Sequence, residues 1–389
     1  MPKNANQNTK LIHSGSNPED QNGAVNPPVY RASTVDYGTI DHMESLREDP
    51  SENFVYGRIG TPTSKAYEEA VANLEGAERT VAVGSGLAAI SAAMLAFISK
   101  GDHVLVCDNA YTPTRKLSEI FLKRFGVETT YYDPLIGSKI VDLFKDNTKV
   151  IYTESPGSHT FEIQDIPAIT HAAKQNGIKV VMDNTWGAGY FFKPFDHGVD
   201  ISVQAATKYY VGHSDAMSGT ISMSGQNIQP ILDSVRVLGY NISPDDAYLA
   251  LRGMRTLSVR LNRHQENALN IANWLSKRPE IRNVLHPALP SCPGHEIWNR
   301  DFLGSNGLFG VTFKKLNKND LRKFVDGLEL FTLGGSWGGY ESLVLPTNVV
   351  RTSTKWQGNG KTIRFHIGLE DPEDLIEDIE RGLKRIATQ

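Results

Sequence analysis

Cysteine is scarce in this sequence, and long apolar runs are missing. Among 389 residues only Cys107 and Cys292 are cysteines, and no CxxC pair exists. This excludes a zinc ribbon and a disulfide-stapled scaffold, and two isolated thiols favour a reducing compartment, so we expect a cytoplasmic protein. No apolar run reaches the roughly 18 residues of a membrane span, and the polar N-terminus lacks a signal-peptide core. We therefore expect neither a membrane span nor a secretory leader.

An excess of charge of either sign is also missing. The chain has 40 Lys and Arg residues against 44 Asp and Glu, a net charge of −4. This balance argues against nucleic acid or an anionic membrane as the main partner. His213, His264, His286 and His295 do not show the spacing of metal ligands, so we expect no metal.

Hydrophobic periodicity divides the chain into three parts. Residues 1–60 are polar and weakly periodic, which predicts an N-terminal arm that contributes to a neighbouring subunit. In residues 61–257, short apolar runs alternate with helical stretches, which predicts a large α/β domain with a mostly parallel, doubly covered sheet. A long helix from about Pro244 to Lys277 is predicted to lead into a smaller α+β domain at 258–389.

The predicted elements alternate regularly along the chain. Strands are expected at 80–83, 103–107, 128–132, 149–153, 179–183, 201–205, 219–223, 282–286, 308–313 and 362–367. Helices are expected at 62–75, 86–99, 113–125, 139–145, 166–176, 319–331 and 373–386. The first of these helices starts at Thr61-Pro62 and stops at Gly76, the positions that favour helix starts and ends.

A glycine-rich turn follows the first predicted strand. It runs from Gly84 to Ala89, and small residues there leave the N–H groups of a helix start free to bind a phosphate. The turn also matches the GxGxxA dinucleotide fingerprint, with Asp108 as the later acidic residue. On this motif alone, three interpretations stay open: a phosphate site, the cofactor site of a nicotinamide-dependent oxidoreductase, and an ordinary packed turn.

Two charged residues follow later strands. Asp183 ends the strand 179–183, at the sheet edge where α/β proteins bind ligands, although a turn or cap role is the general alternative. Lys208 follows the strand 201–205, and partial burial there would lower its pKa and allow a Schiff base, although most lysines are solvated. A phosphate-binding helix start, an acid and a lysine are the groups that a pyridoxal phosphate site needs.

The stretch ATKYYVGHSD around Lys208 resembles the lysine signature of the Cys/Met-metabolism family of pyridoxal 5'-phosphate (PLP) enzymes, the trans-sulfuration enzymes. The resemblance extends over nearly the whole chain, from VYGRIGTPT to IRFHIGLED. It implies the PLP-dependent transferase fold of the aspartate aminotransferase type (fold type I), with a seven-stranded sheet in the large domain. It also implies homotetramers built from dimers that share their active sites.

The resemblance implies roles for individual residues. Lys208 would bind the cofactor covalently, Asp183 would face its pyridine nitrogen, and Tyr111 would stack on its ring. The phosphate ligands would be Ser85, Gly86, Leu87 and Thr207, with Tyr56 and Arg58 contributed by a neighbouring subunit. The substrate-binding residues would be Tyr111, Ser336, Trp337 and Arg364, of which Arg364 would bind the α-carboxylate with the assistance of Ser336.

One departure from the family pattern concerns the phosphate site, and two stretches of the sequence bear on the branch of the family. Ala205 replaces a serine that many members use as a phosphate ligand. Gly335 stands where γ-acting enzymes tend to carry Glu, and Trp337 is typical of bacterial cystathionine β-lyases, as is the segment 109–115. The resemblance therefore implies a PLP-dependent carbon–sulfur lyase of methionine biosynthesis, which cleaves L-cystathionine into L-homocysteine, pyruvate and ammonia.

The alternatives within the class are a broader cysteine-S-conjugate β-lyase and a γ-acting relative, such as cystathionine γ-lyase, cystathionine γ-synthase or methionine γ-lyase. From other classes, a nicotinamide-dependent oxidoreductase would leave Lys208 and Arg364 unexplained. A catalytically silent cofactor-binding protein is disfavoured because both residues are present.

Overall fold

Two β-sheets, covered by helices, organise the chain. The computed structural model describes residues 5–50, 52–356 and 362–386. The strands are β1 Arg79–Val83, β2 His103–Cys107, β3 Glu128–Tyr132, β4 Thr148–Glu154, β5 Lys179–Asp183, β6 Ile201–Gln204, β7 Gly219–Met223, β8 Ile281–Leu285, β9 Leu308–Phe313, β10 Thr332–Leu333, β11 Leu343–Thr347 and β12 Thr362–His366. The α-helices are α1 Gln7–His13, α2 Ile40–Glu48, α3 Pro62–Glu75, α4 Gly86–Leu95, α5 Thr112–Lys116, α6 Ile166–Gln175, α7 Ile228–Val237, α8 Pro244–Met254, α9 Leu257–Ser276, α10 His295–Asp301, α11 Lys318–Val325 and α12 Pro372–Lys384.

The large sheet has seven strands in the order β1-β7-β6-β5-β4-β2-β3. Strand β7 runs antiparallel to both of its neighbours, and the other pairs are parallel. Strands β2 and β7 are buried along their whole length, as expected for a sheet covered on both faces. The predicted α/β class and mostly parallel sheet are confirmed.

The topology brings the candidate site residues to one edge of this sheet. Strands β4, β5 and β6 are parallel, so their carboxyl ends lie side by side. Two antiparallel pairings in succession, β6 with β7 and β7 with β1, give β1 the same direction. The turn after β1, which contains Ser85 and Gly86, therefore lies at the same edge as Asp183 and Lys208.

The N-terminal segment packs partly on its own chain. Helix α1 contacts α3, and Arg255 donates hydrogen bonds to the carbonyl oxygens of Leu11, Ile12 and Ser14 at 3.0, 2.7 and 2.6 Å. These contacts hold the first part of residues 1–60 against the large sheet's helices. A contribution of this segment to a neighbouring subunit stays a prediction.

The single long helix predicted over 244–277 is wrong. Helix α8 ends at Met254 and α9 begins at Leu257. In a continuous helix, the Gly253 carbonyl oxygen would accept from the Leu257 N–H. Instead it accepts from the guanidinium of Arg260 at 2.7 Å and from the Thr256 N–H at 3.1 Å. The break follows from side-chain competition for that carbonyl, which periodicity does not reveal.

Other predicted helices are shorter or different in kind. The helix expected at 319–331 ends at Val325, because the Asp378 carboxylate accepts the N–H groups of Glu329 and Leu330 at about 3 Å and holds them outside the helix. The stretch expected at 113–125 is α5 followed by a π-helical segment, and the one at 139–145 is a 3-10 helix.

The second sheet has five strands in the order β10-β11-β12-β9-β8 and is mostly antiparallel. Its apolar core combines α9, α11 and α12 with β9 and β12. Strands β10 and β11 were not predicted from the sequence, since β10 has two exposed residues and β11 contains Pro346. Among the described residues, no helix is long and apolar enough to cross a membrane.

Candidate active site

A cavity of about 360 Å³ opens at the carboxyl edge of the large sheet. Its size lies within the range of small-molecule sites. Nine predicted site residues line it, namely Ser85, Gly86, Leu87, Tyr111, Asp183, Thr207, Lys208, Trp337 and Arg364. The structure thus brings together residues from both sheets, separated by more than half the chain.

Lys208 reaches into this cavity from the turn after β6. Its Nζ donates a hydrogen bond to Ser336 Oγ at 2.6 Å and lies 5.6 Å from the centroid of the Trp337 ring. Burial lowers the pKa of Lys208 to about 8, the positive charge of Arg364 acts in the same direction, and Asp183 opposes both. The amine therefore has a substantial neutral fraction near neutral pH, as a nucleophile or base requires.

Asp183 is buried at the end of β5. Its Oδ1 accepts the Thr185 N–H at 2.9 Å, and its Oδ2 accepts the Tyr152 hydroxyl at 3.4 Å. Glu154 lies beside it and also lines the cavity, with Oε2 accepting the Tyr111 N–H at 2.7 Å. Burial raises the pKa of both carboxyl groups, and for Glu154 the charge of Asp183 raises it further.

The start of α4 forms the other end of the cavity. Ser85 is the N-cap residue, and its Oγ accepts the Ala88 N–H at 3.1 Å. The N–H groups of Gly86 and Leu87 belong to the first turn, which has no intrahelical acceptors to offer them. A Cβ on Gly86 would lie 2.6 Å from the Cβ of Ala205, so only glycine lets the helix start approach the loop after β6. This arrangement fits a bound phosphate.

Thr207 completes this end of the cavity. Its Oγ1 accepts the Ser218 N–H at 2.9 Å and can donate to the Ser218 carbonyl oxygen at 3.1 Å. The Ala205 N–H donates to Thr185 Oγ1 at 2.8 Å, which fixes the loop that carries both Thr207 and Lys208. A phosphate at the start of α4 would thus face a rigid loop.

Arg364 supplies the positive charge on the opposite wall. It is buried on β12, and its Nη2 donates to the carbonyl oxygens of Gly335 and Ser336, both at 2.9 Å. Burial lowers its pKa to about 10, so it stays charged at neutral pH. The same loop carries Trp337, whose ring meets Tyr209 edge-on at 5.4 Å. Arg364 therefore places a positive charge in the cavity wall and holds the loop that carries Ser336.

Tyr56 and Arg58 lie outside the cavity formed by their own chain. The Tyr56 side chain is 43% exposed, and Tyr56 pairs with Thr34 in an isolated bridge. Arg58 Nη1 donates to the Arg236 carbonyl oxygen at 3.0 Å. Their assignment to the site of a neighbouring subunit stays a prediction.

Glu154 and His159 also line the cavity but were not predicted from the sequence. The position of Glu154 carries a signal, because it ends a strand next to the one that Asp183 ends. His159 carries none: it lies in the irregular turn Gly157–Phe161, with a φ of +67°. Burial and the charge of Arg364 lower its pKa to about 4, so the ring is neutral at pH 7.

The described residues form neither a metal site nor a disulfide bond. Within residues 5–50, 52–356 and 362–386, no three His, Cys, Asp or Glu side chains come together as a possible metal site. Cys107 and Cys292 are both buried free thiols.

The comparisons with known proteins agree on one family. The family model described as Cys/Met metabolism PLP-dependent enzyme matches residues 8–384. A putative cystathionine beta-lyase of Rhizobium johnstonii is 48% identical over 385 residues, covering 98% of this chain and 96% of the relative. Cystathionine beta-lyase MetC of Escherichia coli is 42% identical over 387 residues, covering 97% and 98%.

Two further matches bear on fold and activity. The crystal structure of metB from Corynebacterium glutamicum superimposes with a TM-score of 0.91 at 33% identity, covering 99% of this chain and 100% of that one, which confirms the predicted fold. An L-alanine/L-glutamate racemase of Wolbachia pipientis is 39% identical over 390 residues, covering 97% and 96%. Relatives of comparable identity thus bear the names of different reactions.

Proposed function

Because this chain belongs to the Cys/Met metabolism family of PLP-dependent enzymes, we propose that it is a carbon–sulfur lyase that cleaves L-cystathionine by β-elimination. The products are L-homocysteine, pyruvate and ammonia, and the reaction belongs to methionine biosynthesis. The observation that carries the proposal is the convergence of Lys208, Asp183 and Arg364 on one cavity. Relatives at 40–48% identity that are named cystathionine beta-lyase favour this reaction over the γ-acting alternatives.

The residues of the cavity fit PLP at both of its ends. The start of α4 offers the N–H groups of Gly86 and Leu87 to the phosphate, and Asp183 offers a buried carboxylate to the ring nitrogen. Lys208 stands between them with a pKa suited to covalent attachment. When bound, PLP supplies the electron sink that makes the substrate's Cα–H bond acidic.

The chain's own groups then carry out the proton transfers. Arg364 binds the α-carboxylate and orients the Cα–H bond towards Lys208, whose neutral amine removes the proton. The electron pair of the Cα–H bond forms the Cα=Cβ double bond, the pair of the Cβ–S bond leaves with sulfur, and sulfur takes a proton as homocysteine leaves. Lys208 and Tyr111 are the two candidates for that proton. The three-carbon fragment leaves as an enamine, which water hydrolyses to pyruvate and ammonia.

The keto acid formed from L-cystathionine tests the proposal. Purified protein incubated with PLP and L-cystathionine should release pyruvate with homocysteine in equal amounts. Release of 2-oxobutyrate would mean Cγ–S cleavage. It would overturn the inference, drawn from Gly335 and Trp337, that the enzyme is β-acting. Conversion of L-alanine to D-alanine without pyruvate formation would replace the lyase proposal with racemisation, the activity named for the relative from Wolbachia pipientis.

The uptake of PLP by cofactor-free protein should depend on pH through Lys208. Only the neutral amine attacks an aldehyde, and burial lowers the pKa of Lys208 to about 8. The uptake rate, followed by the absorbance of bound cofactor, should rise roughly tenfold per pH unit below pH 8 and level off above it. A free lysine side chain in solution, with its pKa near 10.4, should show no plateau there. A rate for the protein that keeps rising to about pH 10 would contradict the assigned environment.

We further propose that the enzyme acts in the cytoplasm as a homo-oligomer, most simply a tetramer of two dimers. Tyr56 is exposed and does not line the cavity of its own chain, which supports a role in a neighbouring subunit's phosphate site. The buried free thiols suit a reducing compartment. We also propose the division into an arm at 1–60, a cofactor-binding domain at 61–257 and a C-terminal domain at 258–389.

A further inference from the structure

A buried carboxyl group, that of Asp183, and a half-buried one, that of Glu154, lie side by side at the cavity. Glu154 ends β4, Asp183 ends β5, and the strand register pairs these two residues directly. Neighbouring strands are about 4.8 Å apart, and paired residues of parallel strands project from the same face. The Tyr152 hydroxyl lies at 3.4 Å from Asp183 Oδ2 and also interacts with Glu154. The two acids therefore share one small volume at the cavity wall.

The surroundings of the two acids are unequal. Asp183 receives the N–H of Thr185 and the hydroxyl of Tyr152, and it is attracted by the charge of Lys208. Among the described residues, Glu154 interacts with Tyr152 on its own strand, Asp183 on β5, Tyr111 at the start of α5 and, on β2, the thiol of Cys107. These groups include no cation, so the negative charge of the pair is better placed on Asp183. Two anions this close in a partly desolvated site repel each other, and one of the pair takes up a proton instead.

A strong hydrogen bond of the Glu154 carboxyl group goes to the main chain of the site. Its Oε2 accepts the Tyr111 N–H at 2.7 Å. Tyr111 precedes the short helix α5, and its side chain is 44% exposed, so packing alone does not fix its ring. The bond to Glu154 ties the Tyr111 main chain to the edge of the sheet, beside Asp183.

We propose that Glu154 is a positioning residue that holds Tyr111 at the cavity wall while carrying no charge. This inference rests on the proposed function, because it concerns the same site and the same reaction. A neutral Glu154 leaves a single negative charge on the pair, which matches the one positive charge of a protonated ring nitrogen. The same residue fixes the tyrosine that borders the reacting atoms.

Three substitutions of Glu154 in the holoenzyme test the proposal. Glu154→Gln keeps the shape, the neutral state and an oxygen that can accept the Tyr111 N–H. Glu154→Leu keeps most of the volume and removes the acceptor, and Glu154→Asp keeps the carboxyl group but draws it back by one methylene. We expect Gln to stay within about threefold of the wild type in kcat/KM, and Leu and Asp to lose at least about tenfold, mainly in kcat.

Two readouts separate positioning from a merely structural role. The circular dichroism of the bound cofactor's absorption band, which reports how the ring is held, should be preserved in the Gln variant and altered in Leu and Asp. The acid limb of the pH profile of kcat/KM should be the same in Gln and wild type, because a neutral group is replaced by a neutral group. If the Leu variant does not fold, the comparison of Gln with Asp decides.

Two results would overturn the proposal. A loss above about tenfold in the Gln variant, or a displaced acid limb, would mean that Glu154 acts as an anion. Wild-type dichroism and activity in the Leu or Asp variant would mean that Tyr111 does not depend on it. If the wild type forms no pyruvate at all, the lyase proposal fails, but the dichroism comparison needs no turnover and still decides the role of Glu154.

Discussion

Replacing Lys208 with alanine should lower kcat for pyruvate release by at least about 10⁴-fold, because one amine serves as both the covalent attachment point and the base. The methyl group of alanine can neither bind PLP covalently nor take the Cα proton. Residual activity would come only from Arg364 and the rest of the cavity. The measurement is the initial rate of pyruvate formation from L-cystathionine at saturating PLP.

Lys193 offers a matched control for this variant. It is also a half-buried lysine, and desolvation lowers its pKa to about 8 as well. However, its Nζ donates to the carbonyl oxygens of Leu74 and Gly189, both at 2.6 Å, and it does not line the cavity. Lys193→Ala should lower the melting temperature, because two carbonyl groups lose their donor, but should keep kcat. Equal losses of activity in the two variants would contradict the assignment of Lys208.

The effect of Lys208→Ala on the neighbouring hydrogen bonds and on the fold is also predictable. Without the ammonium group, Ser336 Oγ loses the donor that lies 2.6 Å away, while the loop keeps its two hydrogen bonds to Arg364. The fold should therefore persist, and the far-ultraviolet circular dichroism should match that of the wild type. An unfolded variant would indicate that Lys208 supports the structure rather than the reaction.

Much of the large sheet was predictable because its strands are short apolar runs between helices. Strands such as β2 and β5 have nearly every side chain buried, so the apolar run marks each strand from end to end. The order of the strands was not predictable from periodicity, since it depends on pairings between distant segments. The break between α8 and α9 was missed for the same reason, because Arg260 competes for a carbonyl group of the preceding helix.

The candidate site was likewise only partly predictable from the sequence. Asp183, Lys208 and the start of α4 were found because each lies at or just after the end of a strand, and the ends of parallel strands meet at one edge. Arg364 and Trp337 came from family resemblance, and the cavity joins them to that edge. Glu154 was missed although it also ends a strand, because the resemblance did not point to it. His159 was missed because nothing in sequence predicts a left-handed turn beside a cavity.

Replacing Asp183 with asparagine should lower kcat by roughly 10³-fold, the upper end of the effect of removing one preorganised electrostatic group. Asparagine keeps the shape, and its carbonyl oxygen can still accept the Thr185 N–H. The amide has no charge, so it cannot hold a proton on the ring nitrogen of bound PLP, and electrons are no longer drawn from Cα. The measurement is the rate of pyruvate release, together with the affinity for PLP.

Asp200→Asn is the control, because it makes the same substitution in another carboxylate that accepts a main-chain N–H. Asp200 accepts the Val180 N–H at 2.9 Å and lies just before β6, at the opposite edge of the sheet from the cavity. It should keep kcat within about threefold, because it touches no group of the site. Since burial raises the pKa of Asp183, the Asn variant should also be at least as stable as the wild type without cofactor. Loss of activity with unchanged or higher stability would assign the Asp183 charge to the reaction rather than to the fold. Activity within about tenfold of the wild type would instead mean that the ring nitrogen needs no anion here.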